Sequence, residues 1–122
     1  MIGVGVDLVE VGRFRRVLAR TPSLVDRLFT ADEQAYAQAA RDPVERYAVR
    51  FAAKEATMKA LGVGLGAIDW HDVEVVRDDG SGAPSLRVTG RAASIAEKAG
   101  ANRWLVSLSH TSSTAGAVVI AG

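Results

Sequence analysis

The sequence predicts an α+β domain in which a mostly antiparallel sheet packs against one long helix and several shorter ones. Three observations carry that prediction. Residues 43–61 form one long helical run with start and stop signals at its ends. Segments 72–77 and 85–89, and then 104–109 and 115–121, read as strands separated by turn-forming residues. Finally, the 122 residues give room for one domain, 1–122. A domain of that size buries roughly 65% of its unfolded surface and needs no metal or crosslink merely to fold.

Taken in order, Met1 to Val6 is apolar with glycines and reads as a buried strand ending near Asp7. Val11 to Arg20 is helical. Thr30 and Glu33 form a capping box for a helix running to about Arg41. Asp42 caps the long helix, Pro43 suits its first position, Glu45 completes a second box, and Gly62 stops it at Leu61. Asp72–Arg77 and Ser85–Thr89 flank a loop at Asp79-Gly80. Arg91–Ala99 is a short helix closed by Gly100, and Trp104–Ser109 and Ala115–Ala121 finish the chain as strands.

Composition removes several function classes. There is no cysteine, so disulfides, thiolate zinc sites and cysteine nucleophiles are excluded, in keeping with a reducing cytoplasm. The first apolar run contains Asp7 and has no basic flank, which argues against a signal peptide. The stretch from Trp104 to Gly122 is broken by Ser107, Ser109, His110 and four hydroxyl residues, so no membrane span is expected. A net charge of +1 gives no reason to expect nucleic acid.

Charge distribution says more than the total. Arg13, Arg15, Arg16 and Arg20 share one helix with no acid among them, whereas residues 69–79 hold five carboxylates against Arg77 alone. The arginine face is either solvated or a docking surface for an acidic partner. Few aromatics lie nearby to stack single-stranded nucleic acid.

The long helix breaks its own pattern. With about 100° per residue, Val44, Tyr47, Ala48, Phe51 and Met58 share one stripe, and Glu55 falls inside it. A carboxylate there must be solvated at a cleft, paired, or bound to a cation. Lys59, one turn on, offers an i,i+4 ion pair as the plain reading. Asp7 has a plain reading too, as the cap of the following helix. Together, though, a strand-end carboxylate and a helix-face carboxylate make the usual protein share of a magnesium site. That ion completes its shell with water and substrate phosphates.

Arg50, Lys54 and Lys59 would supply cations for such phosphates. The run from Gly62 through Gly64 to Gly66 is either a helix stop and turn or a source of amides for an anion. It follows a helix, so it is no dinucleotide fingerprint, and no Walker motif exists. His110 closes a strand as a polar cap, a phosphate contact or a proton carrier. His71 has nothing to recommend it.

Three stretches, Gly3-Val4-Gly5-Val6-Asp7-Leu8-Val9 through Arg13, Arg50-Phe51-Ala52-Ala53-Lys54-Glu55-Ala56 with Lys59, and Val106-Ser107-Leu108-Ser109-His110-Thr111, resemble one family. It is the holo-[acyl carrier protein] synthases, the small trimeric class of 4'-phosphopantetheinyl transferases. The resemblance spans nearly the whole chain, in order. It implies transfer of the phosphopantetheine arm of coenzyme A to a serine of an apo acyl carrier protein, with release of adenosine 3',5'-bisphosphate. The setting implied is fatty acid biosynthesis, with polyketide synthesis as an extension.

On that resemblance, Asp7 and Glu55 would hold magnesium, with manganese as an alternative ion, and Lys59 would meet charge on the bridging oxygen. Arg50, Lys54, Gly62, Gly64, His110 and Thr111 would contact coenzyme A. Arg13, Arg16 and Arg20 would receive the acidic carrier protein. Sites would lie between protomers of a homotrimer in the cytoplasm, with no nucleic acid or membrane partner. The serine proton would pass to Glu55 or to water on the ion. Some relatives carry an acid where Thr111 stands, so a scheme needing a carboxylate there does not transfer. Phe51 replaces a tryptophan of larger relatives. Two rival readings remain, a transferase dedicated to secondary-metabolism carriers and a non-catalytic module whose arginine helix holds an acidic protein or nucleic acid.

Overall fold

In the computed structural model, which describes residues 2–122, the longest element is the helix α4, Pro43–Leu61. It is preceded by strand β1 (Gly3–Glu10) and helices α1 (Val11–Arg20), α2 (Leu24–Leu28) and α3 (Ala31–Gln38). A 3₁₀ turn, Trp70–Asp72, leads to strands β2 (Val73–Arg77) and β3 (Pro84–Val88), helix α5 (Gly90–Lys98), and strands β4 (Trp104–His110) and β5 (Thr114–Ala121). The α+β class and the antiparallel pairing agree with expectation. The single sheet does not. There are two, β1-β5-β4 and β2-β3. One edge of β2 is taken by a side chain, since the Val75 amide donates to a Glu33 carboxylate oxygen at 2.9 Å.

β1 is longer than expected and carries Asp7 in its interior, because β5 pairs with it from Gly3↔Ala121 to Glu10↔Thr114. Met1, the expected start of that strand, lies outside the described residues. The alternation is also inverted relative to residue size. Gly5 and Asp7 face inward, while Val4, Val6 and Leu8 are 57%, 55% and 72% exposed.

Glycine is required at the inward positions. A Cβ on Gly3 or Gly5 would overlap the α4 carbonyl oxygen of Ala60 or Ala56. Ala52, Ala53 and Ala56 are fully buried with Val119 and Ala121, so small residues on both partners let helix and sheet approach closely.

The α4 stripe expected around Phe51 is only part of what the helix buries. Tyr47 to Arg50, Ala52 to Lys54, Ala56 to Met58 and Ala60 are all buried, because the helix runs through the middle of the fold. Phe51 and Glu55 lie on its half-buried line. Asp42 does cap the helix, accepting from the Val44 amide at 3.3 Å. Glu45 instead faces His110 at 3.4 Å and closes no box. α3 ends at Gln38, short of Arg41, and Asp42, the residue before Pro43, is extended.

Candidate active site

Strand β1 presents Asp7 inward by simple alternation, and α4 lies across it carrying Glu55 and Lys59 one turn apart. Lys59 donates to an Asp7 carboxylate oxygen at 3.1 Å and to the Val6 carbonyl at 3.0 Å. The plain readings of both acids therefore fail. Lys59 pairs with Asp7 instead of Glu55, and Asp7 does not cap α1, which starts at Val11 with Glu10 at its cap position and no side-chain cap bond.

Among the described residues Glu55 has no salt-bridge partner. Burial, and secondarily the charge of Asp7, hold its carboxyl above the ordinary range against a smaller downward pull from Lys59. The two acids thus feel each other directly.

Both line one open cleft of about 1100 Å³, together with Glu10, Arg13 and the glycine loop at Leu65 and Gly66. Its apolar wall is an aromatic stack. Phe51 lies 5.1 Å from Phe14 and 5.3 Å from Trp70, centroid to centroid. Trp70 escaped the sequence reading because a 3₁₀ turn has no apolar period to betray it.

Among the described residues no group of three or more His, Cys, Asp and Glu converges on a point. A hard cation does not need one. Two carboxylates, with water and phosphate oxygens, suffice for magnesium, and the all-oxygen pair Asp7 and Glu55 fits that demand.

Other expected site residues lie elsewhere. Lys54 is 1% exposed, and its ammonium donates to Glu33 at 2.8 Å, to the Trp70 carbonyl at 3.0 Å and to the Val73 carbonyl. An ammonium has three donors, and all are used, so the expected phosphate contact is corrected to a buried ion pair. Burial pushes the Lys54 ammonium down, with Glu33 opposing that shift. Glu33 also accepts from the Thr30 amide, as its capping box requires, and from the Val75 amide, which the box did not reveal.

Arg50 is buried and aimed at a second cleft of about 420 Å³ beside Tyr36, on another side of α4 from Glu55. His110 stands at Glu45, ten residues from Glu55, or roughly 15 Å along the helix. The Thr111 hydroxyl accepts from the Ser113 and Thr114 amides and so builds the β4–β5 turn. Gly62, at φ 70°, is the left-handed helix stop, and Gly64 is open to solvent. On α1, Val11, Phe14 and Leu18 face the core, while Arg13, Arg16 and Arg20 are exposed. Arg15 is committed to Asp42 through two bonds of 3.0 and 2.7 Å. His71 bonds the Asp26 carbonyl at 2.8 Å.

Residues 3–118 match the family model of the 4'-phosphopantetheinyl transferase superfamily. A holo-[acyl-carrier-protein] synthase of Streptomyces avermitilis is 50% identical over 121 residues, covering 99% of this chain and 97% of that one. The crystal structure of such a synthase from Neisseria meningitidis superposes with a TM-score of 0.90 at 31% identity, covering 100% of this chain and 98% of its own. Another, from Bacillus anthracis in complex with CoA (3',5'-ADP), superposes at 0.81 with 31% identity, covering 98% and 95%. With paired acids in one cleft and this likeness over its length, the chain belongs to the 4'-phosphopantetheinyl transferase superfamily.

Proposed function

We propose that this protein is a holo-[acyl carrier protein] synthase, transferring phosphopantetheine from coenzyme A to a serine of apo acyl carrier protein in fatty acid biosynthesis. The observation that carries the reading is the convergence of Asp7 and Glu55 in one cleft, with Lys59 at Asp7. The named relatives and the coenzyme A complex support the substrate pair.

In the reaction the serine oxygen bonds to the β-phosphorus, the bridging P–O bond breaks, and adenosine 3',5'-bisphosphate leaves. Such transfers ask a protein chiefly to position groups and neutralise spreading charge. Asp7 and Glu55 would hold magnesium, or manganese in its place, which polarises the diphosphate when bound. Lys59, exposed on its far side, faces the charge developing on the leaving oxygen. The serine proton would pass to Glu55 or to water held beside it.

The assembly proposed is a homotrimer with the sites between protomers. Its support is an outward apolar row on one sheet face, Val4, Val6 and Leu8 of β1 with Leu105 and Val118. Arg50 and His110, remote from the cleft in their own chain, then serve the nucleotide from a neighbouring protomer. Val6→Lys should shift the sedimentation profile to monomers at micromolar concentration, and an unchanged profile rejects this interface.

No described helix is long and apolar enough to cross a membrane, and the setting proposed is the cytoplasm. The exposed Arg13, Arg16 and Arg20 are the docking face for the acidic carrier. Reversing Arg13 and Arg16 to Glu should raise the carrier KM at least about 10-fold, consistent with lost charge complementarity, and the coenzyme A KM far less. Equal changes in steady-state kinetics would mean that the face is merely solvated. The reading as a whole is tested by incubating the protein with coenzyme A, magnesium and apo carrier protein. Mass spectrometry should show the phosphopantetheine adduct on serine, and its absence rejects the activity.

A further inference from the structure

Lys54 and Glu55 are neighbours on α4 and point about 100° apart, one into the core and one into the cleft. A lysine is an expensive occupant of a fully buried position. Methionine would pack there at lower cost, so the ion pair calls for an explanation other than stability.

Its connections supply one. Through Glu33 the Lys54 ammonium is tied to the first turn of α3, and through Glu33 again to the Val75 amide of β2. Directly it holds the carbonyls of Trp70 and Val73. The Trp70 ring in turn stacks on Phe51, one turn before Glu55, and both line the cleft. One side chain therefore touches α3, β2 and the 3₁₀ turn, and in that turn the backbone of Trp70, whose ring walls the cleft.

We propose that the buried Lys54–Glu33 pair is a positioning device for the Asp7–Glu55 cleft, holding the rotation of α4 and the Trp70 wall, and that Lys54 takes no part in binding phosphate. The proposal rests on the transferase reading above. A displacement of about 1 Å at a reacting group costs on the order of 100-fold in rate, so a loosened pair has room to act without touching substrate.

The test compares the parent with Lys54→Met/Glu33→Gln, in which both charges are removed together and the shapes are kept. Fold is followed by thermal melting, coenzyme A affinity by calorimetry, and transfer by mass spectrometry. The expected result is a folded trimer that binds coenzyme A within about threefold of the parent while kcat falls about 10- to 100-fold. In a Trp104→Phe background the Trp70 emission should shift as its wall loosens. Should the double variant not fold, Glu33→Gln alone keeps one acceptor oxygen, for either the Thr30 or the Val75 amide, and should lower kcat about 5-fold at unchanged affinity. A folded variant with parental kcat, or one whose affinity for coenzyme A falls while kcat holds, overturns the proposal. A parent that adds nothing to the carrier serine rejects the transferase reading instead, and is recognised by that control.

Discussion

Asp7→Asn and Glu55→Gln are each expected to lower kcat/KM for phosphopantetheine transfer at least about 100-fold while the protein still melts cooperatively. Each change removes one negative charge from the cleft beside Lys59, where β1 and α4 cross. The two variants should differ in stability. Asp7 is paired with Lys59, so Asp7→Asn discards an ion pair. Glu55 is held above its ordinary range by burial and by Asp7.

A carboxyl whose folded pKa exceeds its unfolded value binds more protons folded than unfolded between the two. Stability therefore falls as pH rises through that window. Metal-free Glu55→Gln should accordingly melt above the parent at neutral pH, with the gap closing as pH falls toward about 4.3, the unfolded value, and gone below it. Calorimetric melts across pH 3.5–8 check this. A gap that widened on acidification would show that burial is not what raises the Glu55 carboxyl.

Gly5→Ala should cost at least about 3 kcal/mol and lower the melting temperature on the order of 10 °C, through backbone overlap instead of lost contacts. The added methyl would drive into the Ala56 carbonyl and the Ala60 amide of α4, and neither can yield without moving the helix. Gly64→Ala is the control, since nothing lies within 4 Å of its Cβ position, and its change should stay within about 0.5 kcal/mol. Parallel urea titrations measure both. Near-equal midpoints would mean that helix and strand are not in the contact described.

These outcomes bear on how far sequence alone reaches. α4 came out with its expected bounds, because Asp42-Pro43 and Gly62 are local signals at its two ends. β1 did not, since its length is set by β5, a hundred residues away, and its glycines answer to a close approach of α4 that no local signal shows. Asp7 and Glu55 were found as a pair because each breaks an apolar pattern. Lys54 breaks the pattern equally and was misplaced, since residue type does not say whether a cation points to solvent or to a buried Glu33. The aromatic wall at Trp70 depends on a short turn, and turns leave little periodic trace.

The cleft is bounded unevenly. Asp7 belongs to a strand laddered from end to end with β5, and Glu55 to a helix buried along most of its circumference, whereas the opposite rim at Leu65 and Gly66 is an exposed loop with Leu65 78% accessible. Ligand capture should then draw its entropic cost almost wholly from the loop, the acids being preorganised before anything arrives. Changes of loop length or glycine content would tune residence time and leave the chemistry alone, so turnover speed and product release sit on separate parts of the chain.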